Sequence, residues 1–344
     1  MVYQAAPPRR PKLLAALKIY DRPTAVADLV AGVTVGLVAL PLALAFAISS
    51  GLTPQAGIYT ALVAGGLISL LGGSQLQIGG PTGAFVVIVA GIVATHGVEG
   101  LFVCTVMAGV ILVVLGVTGL GSAVRFIPRP VVVGFTNGIA VLIATTQIRD
   151  FFGLRLDRVP SEFIPRIRDL ASHASTWSPA AAALAVGTVA IILIASRISK
   201  LIPGAIIALV LGTIAVVAFG LPVETIGTRF GGIPAGLPAI HLPHFRVELL
   251  GTLVIPAMTV AMLGAIESLM SAMVADRMTG DRHDSNMELI AQGVANIASP
   301  LFGGPVIRED LPEPRAVPVR RDRQTAPAAR PRARPAADRD SAAS

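Results

Sequence analysis

One carboxylate stands alone in a long apolar run of this chain. Glu267 is the only acid between Leu249 and Val274, in the string GAIESLMSAMV. A charged side chain at membrane depth costs at least about 2.5–3.5 kcal/mol on insertion scales, so function is the first reading. The alternative is a structural carboxylate that caps a neighbouring half-helix. Ser271, four residues on, shares the Glu267 face of a helix, whereas Ser268 points about 100° round it. A second candidate carries no charge. Thr82, Gly83 and Ala84 follow Pro81, and proline favours the first turn of a helix. The free N–H groups of that turn, at the positive end of the helix dipole, attract an anion without any arginine. Gly79, Gly80 and Gly83 allow close backbone approach. They suit a packing seam between helices equally well. The chain has no GxSxG, Walker or HExxH motif, and HLPH lacks the i,i+4 spacing of a helical metal pair. Enzyme readings therefore have no residues to rest on, and no cofactor or metal is expected beyond a sodium ion or proton as coupling ion.

Such groups imply a membrane around them, and the composition agrees. The chain has 344 residues, 53% hydrophobic and only 14% charged, with a mean hydropathy of +0.75. Soluble domains carry roughly 25% charged residues. A water-soluble enzyme is excluded, and an all-α polytopic membrane protein is indicated. From Leu29 to Val98 there is no Lys, Arg, Asp or Glu, a length sufficient for up to three crossings at about 20 residues each. The single cysteine, Cys104, excludes a disulfide framework and a Cys-based zinc site. The net charge of +7 does not indicate nucleic-acid binding, because nine of the 27 basic residues follow Gly304 and the others gather at helix ends. Residues 1–27 form a basic leader with no small-residue cleavage site.

Charges, prolines and glycines divide the chain into about nine segments, at 28–50, 54–71, 81–95, 100–124, 130–148, 179–196, 201–220, 249–274 and 286–302. Residues 149–178 read as a polar loop, and the Gly/Pro-rich 221–248 cannot be a regular helix. The third segment has only about fifteen residues, too few at ~1.5 Å per residue for a ~30 Å hydrocarbon core. The preceding SQLQIGG reads as an extended strand leading into a half-helix. Discontinuous segments of this kind point to a transporter binding site. With the N-terminus inside, eleven Lys and Arg fall on the inner side and seven on the outer, which predicts a cytoplasmic N-terminus and an external 149–178 loop. LLGG at 70–73 and LFGG at 301–304 end two helix pairs that start on opposite sides, as an inverted repeat requires, although chance similarity between Leu- and Gly-rich helices gives the same match.

At DLVAGVTVGLVALPLALAFAISSGLTPQAGIYT (28–60), QIGGPTGAFVVIVAGIV (77–93) and GAIESLMSAMVADRMTGDRHDSNMELIAQGVANIASPLFGG (264–304) the sequence resembles the sulfate permease (SulP) family of inorganic anion transporters. The resemblance covers roughly residues 20–304. It implies the uracil-permease-like fold of fourteen helices, two inverted seven-helix repeats divided into a core and a gate, of which this chain has the first repeat (28–220) and the start of the second (249–304). It also implies a secondary transporter in the cell membrane, sulfate first and bicarbonate next, with the full-length form a homodimer. Among residues, it implies that Glu267 lies near the substrate, where it handles a coupling ion or proton or organises the site. Gln55 and Tyr59 in PQAGIYT match the second-helix signature, and Phe46 is expected to line the pocket with Pro81, Thr82, Gly83, Ala84, Ser268 and Ser271.

The pattern departs after Gly304. Residues 305–344 hold nine Arg, nine Ala and seven Pro and no aromatic residue. Such a stretch cannot span a membrane and reads as disorder. A frameshift or truncation near residue 305 explains this composition; a short natural paralogue with a basic tail is the alternative. On the first reading the chain is a fragment that does not transport by itself.

Overall fold

The computed structural model describes residues 10–18, 20–80, 82–121, 129–156, 160, 162–198, 204–232, 236 and 247–302. Pro81 and the 305–344 tail lie outside them. Among the described residues the chain is helical and has no strand. The main helices are α1 (Lys12–Ala16), α2 (Arg22–Ser49), α3 (Pro54–Leu71), α4 (Gly83–Thr118), α5 (Arg129–Phe152), α6 (Phe163–Ser172), α7 (Pro179–Ile198), α8 (Gly204–Phe219), α9 (Ile226–Phe230), α10 (Leu250–Thr279) and α11 (Ser285–Phe302). Five of them, α2, α3, α4, α7 and α10, are long and apolar enough to cross a membrane.

Local chemistry sets the helix starts. Asp21 caps α2 by accepting from the Thr24 N–H at 3.0 Å, and Thr53 caps α3 from Ala56, each with a proline in the first turn. Asp284 caps α11, its Oδ1 accepting from the N–H groups of Asn286 (3.0 Å) and Met287 (3.1 Å). Gly280, at φ 75°, ends α10 in the left-handed conformation that glycine adopts without strain.

The long α4 is a hairpin, not a rod. Straight, its 36 residues would measure about 54 Å. Gly97 breaks it at φ 69°, ψ −177°. A Cβ built on Gly264 of α10 would lie 3.6 Å from Phe85 Cζ and 3.9 Å from Leu112 Cδ1. Those two residues would stand about 40 Å apart on one straight helix, so the chain must reverse between them. The expected third and fourth segments are thus the two arms of α4. The first, residues 83–96, is about 21 Å long, short of a full crossing.

Two groups of helices result. In the first, α4 packs on α10 and α11, and α11 also packs on α3, which holds α2. Its core contains Cys104, Ala108, Leu112, Leu253, Ala257, Ala261, Leu269 and Leu289. Helix α11 meets α4 backbone to backbone at Gly109 and Gly293, where an added Cβ on either would come within 2.7 Å of the other's carbonyl oxygen. The second group is α7 with α8, and α5 lies between the two groups, packing on both α4 and α7. Here the expected polar loop needs correction. Residues 149–178 contain the last turn of α5, all of α6 and a small apolar core of Leu154, Leu156 and Leu170 packed on Ile148. The charges of this stretch disguised an amphipathic helix. Among the described residues of the Gly/Pro-rich 221–248 are the short helix α9, closed by a capping box between Thr225 and Thr228, and the start of a 3-10 turn at Val247–Leu249.

Candidate functional site

Three elements meet midway along α10. Glu267 is seventeen residues from the start of that helix and twelve from its end, hence about 26 Å and 18 Å from its two ends. Thr82, the residue before α4, does not cap its own helix. Its hydroxyl instead donates to Glu267 Oε2 at 2.9 Å. The N-terminus of the short arm of α4 therefore opens beside the carboxylate, with no hydroxyl from Thr82 on its first-turn N–H groups. Gly83 and Ala84 are buried there. A Cβ on Gly83 would press on Ile143 of α5 and lie 3.4 Å from Phe46 Cε1. Phe46 thus flanks the helix start, and Ile143 would have to shift for any residue larger than glycine at position 83.

Ser268 is the hub of a second, deeper set of bonds. Its hydroxyl accepts from Gln292 Nε2 (2.7 Å) and Gln77 Nε2 (3.0 Å) and donates to Glu288 Oε1 (3.4 Å). That uses its one proton and both lone pairs. Gln77 also donates to the Ser268 carbonyl at 3.1 Å. Glu288 is wholly buried, and its other oxygen accepts from the Gly73 N–H at 2.9 Å. The extended stretch before α4 is therefore tied to α10 through Gln77 and to α11 through Gly73. These bonds decide where the N-terminus of α4 points.

The placement of the predicted residues divides accordingly. Thr82, Gly83, Ala84, Phe46, Glu267 and Ser268 come together. Ser271 is exposed and joins no hydrogen bond among the described residues. It shares a helix face with Glu267, but the α3–α4 connection and α11 approach α10 at Ser268. Gln55 and Tyr59 bond to each other at 2.6 Å, and the Tyr59 hydroxyl donates to the Gly236 carbonyl at 3.3 Å, so the structure ties them to the 221–248 connection. Pro81 lies outside the described residues. Gln77 is a site-supporting residue that sequence reasoning did not select, and Glu288 and Gln292 follow family positions with no role expected in the site. Glu288 reads as an ordinary acid in a first helical turn, favoured there by the dipole. The available signal was a second acid, with a glutamine, in an otherwise apolar segment.

A polar cluster at the α10–α11 turn holds the same unit from outside the spans. Asp276 accepts from the His283 N–H at 3.0 Å and pairs with its Nδ1 at 2.6 Å, and His283 Nε2 meets Ser285 Oγ at 2.9 Å. The Lys12 ammonium reaches Asp281 at 3.1 Å while its backbone N–H donates to the Gly72 carbonyl, also at 3.1 Å. Burial pushes the Asp281 carboxyl up, but the Arg282 backbone N–H and the Lys12 ammonium outweigh it and hold it below the ordinary value. No group of three metal-ligating side chains occurs among the described residues.

Comparison with known proteins gives this arrangement a family. The chain is 47% identical over 278 residues to the putative sulfate transporter YvdB of Bacillus subtilis (strain 168), covering 80% of this chain and 52% of that protein. It is 35% identical over 288 residues to the bicarbonate transporter BicA of Picosynechococcus, covering 80% of this chain and 50% of that one. The chain spans about half the length of the curated relatives it matches. Its fold resembles the transmembrane domain of a cyanobacterial bicarbonate transporter BicA, with a TM-score of 0.72 at 37% identity over 80% of this chain and 72% of that one. It also resembles the inward-facing murine Solute Carrier 26 family member A9, with a TM-score of 0.74 at 19% identity over 88% and 55%, a likeness of fold alone. The sulfate permease family model matches residues 26–308, and with this helical, multi-pass architecture the chain belongs to that family of membrane transporters, not to an enzyme family.

Proposed function

We propose that residues 26–308 form the anion-holding part of a secondary transporter of inorganic anions, sulfate first and bicarbonate next. The observation that carries this is the Thr82–Glu267 hydrogen bond at 2.9 Å. It sets a helix N-terminus and a membrane-depth carboxylate side by side near the middle of α10. The first-turn N–H groups of α4 attract an oxyanion, and the dipole adds roughly half an elementary charge of attraction. Glu267 beside them disfavours a second negative charge unless a cation accompanies it. Sodium or a proton at Glu267 therefore couples anion entry to a downhill ion. Relatives named for sulfate and for bicarbonate transport support the substrate class.

The same reading places the N-terminus in the cytoplasm and takes the family-length protein to be a homodimer. It also takes the present chain to be inactive alone, since one helix N-terminus holds an anion weakly and residues 305–344 have no helix-forming pattern. Radiolabelled sulfate and bicarbonate uptake into proteoliposomes tests both levels. A family-length protein carrying these residues is expected to take up one of the anions saturably, and Glu267→Gln to alter the pH or sodium dependence with insertion intact. Uptake unchanged across pH and sodium in the variant defeats the role given to Glu267. Saturable uptake by the 344-residue chain alone defeats the claim that it is inactive.

A further inference from the structure

One side chain of α5 reaches the N-terminus of α4. Gly83 is the first residue of that helix. The Phe85 N–H donates to the Thr82 carbonyl at 3.2 Å. The N–H groups of Gly83 and Ala84 come before this bond and have no partner within the helix. An oxyanion held by the terminus sits against those two groups. Helical Cα–Cβ bonds tilt toward the N-terminus, so the Cβ that Gly83 lacks would point to the flank of such an anion. Ile143 Cδ1 occupies that place, with Ile143 Cγ1 3.1 Å and Phe46 Cε1 3.4 Å from it.

Two features keep Ile143 there. Gln147, one turn further along α5, places its Nε2 3.5 Å from Ser49 Oγ, and Ser49 lies one turn beyond Phe46 on α2. The two helices thus hold Ile143 and Phe46 at one level. Isoleucine is also β-branched, with one strongly preferred χ1 rotamer in a helix, so the side chain acts as a stiff stop. Neither Phe46 nor Ile143 carries a side-chain hydrogen-bond donor. An anion oxygen pressed toward them loses water and gains no bond in exchange.

We propose that Ile143 is a specificity-determining residue that limits the size of the oxyanion held at the α4 N-terminus, an inference that rests on the anion-holding role proposed above. The wall of Ile143 and Phe46 stops the anion on one side. A larger tetrahedral oxyanion of the same charge must either push Ile143 aside or draw back from the Gly83 and Ala84 N–H groups. Helix α5, which lies between the two helix groups, thereby selects the anion although it offers it no hydrogen bond from Ile143.

Sulfate and molybdate test this, because both are tetrahedral dianions and molybdate is the larger. Equilibrium binding of radiolabelled sulfate to the detergent-solubilised 344-residue chain, displaced by molybdate, gives the ratio of the two affinities. Millimolar concentrations are used, since one helix terminus holds an anion weakly. The parent chain is expected to prefer sulfate by about tenfold or more, and Ile143→Ala to reduce that preference by at least about threefold. Ile143→Val, which removes one carbon and disturbs packing least, should reduce it by less. In the Ile143→Ala background, Gly83→Ala returns a methyl group to the vacated place and should recover much of the preference. A ratio that stays at the parental value in both Ile143 variants would mean that Ile143 only supports packing, and would overturn the proposal. Failure of Gly83→Ala to recover the preference would place the size limit elsewhere and overturn it equally. Absence of saturable sulfate binding by the parent chain would instead remove the anion-holding reading itself, and this inference with it.

Discussion

The α4–α10–α11 group and the α7–α8 group are both made of apolar helices, yet they are held by different means. Helix α10 buries ten of its residues and α7 none. In the first group glycines bring backbones into contact, and buried side-chain hydrogen bonds join separate helices. In the second, Gly187 has nothing within 4 Å of an added Cβ, although one on Gly204 at the start of α8 would lie 3.2 Å from the Ile192 carbonyl oxygen of α7, and Thr213 returns its hydroxyl to the Leu209 carbonyl of its own helix at 2.8 Å. Apolar composition alone does not hold helices together in lipid, because lipid tails are as apolar as leucine. Close approach and polar bonds do, so the group rich in both is the more tightly packed and carries most of the site.

One substitution made in both groups gives the largest contrast. Gly187→Ala is expected to stabilise by up to about 1 kcal/mol, the helix-propensity gain. Gly293→Ala places a Cβ 2.6 Å from the Gly109 carbonyl oxygen, and overpacking of this kind costs about 1–3 kcal/mol, more where backbone must move. Thermal unfolding of the detergent-solubilised protein reads both. Equal signs would end the distinction between the groups.

Next is Glu288. Alanine there leaves the Gly73 N–H and the Ser268 hydroxyl without their acceptor, at about 1–3 kcal/mol for each buried donor. Glu288→Gln retains an acceptor oxygen and should lose less than half as much. If alanine and glutamine are equivalent in the same unfolding measurement, the buried bonds contribute nothing.

Hydroxyl removal separates the groups more finely. Thr82→Val removes a bond between helical elements and is expected to cost about 0.5–1.5 kcal/mol. Thr213→Val removes only a bond within α8 and should be close to neutral. A larger loss at position 213 would contradict the comparison.

The smallest effect belongs to the Lys12–Asp281 pair, whose side chains are 23% and 37% exposed. Exposed pairs contribute about 0–1 kcal/mol. The Asp281 carboxyl is held below its ordinary value, so in the folded state it releases its proton more readily. The stabilisation is present above the unfolded-state value and is lost as pH falls through the lowered one. Asp281→Asn should lower stability slightly near neutral pH, where the contribution is present, and match the parent protein in acid, where it is already lost. Titrating unfolding midpoints of both proteins from neutral to acid pH checks the sign.

Much of the helix inventory was legible because charge, proline and glycine punctuate it. Residues 54–71 were expected and α3 spans Pro54–Leu71, since Thr53, Pro54 and Gly72 mark its ends. Ends defined by charges were placed short. Helix α2 begins at Arg22, six residues before Asp28, because Asp28 stays at the surface and accepts from the Tyr20 hydroxyl at 2.7 Å. Helix α10 continues past Val274 through Asp276 and Arg277 until Gly280 stops it. The polar reading of 149–178 missed α6 because Arg166, Arg168 and Asp169 offset its apolar residues in an average over the stretch, while its periodicity still separates two faces.

The amino-acid sequence by itself determined that this chain enters a membrane, where most spans begin, and that the third segment is a short half-helix. Those properties depend on neighbours within a few turns: hydropathy, capping side chains and helix-breaking residues. Its lone acid at 267 was also visible, since a charge in an apolar run stands out without any structure. Only the tertiary structure decided what that acid faces. Thr82 and Glu267 are 185 positions apart, and Gly73 and Glu288 are 215 apart. Their pairing depends on the reversal at Gly97 and on the contact of Gly109 with Gly293, which set the direction and depth of whole helices. Local pattern carries no information on such distances, so a deeply buried carboxylate and an ordinary helix-start acid look alike in the sequence until α11 is packed against α3 and α4.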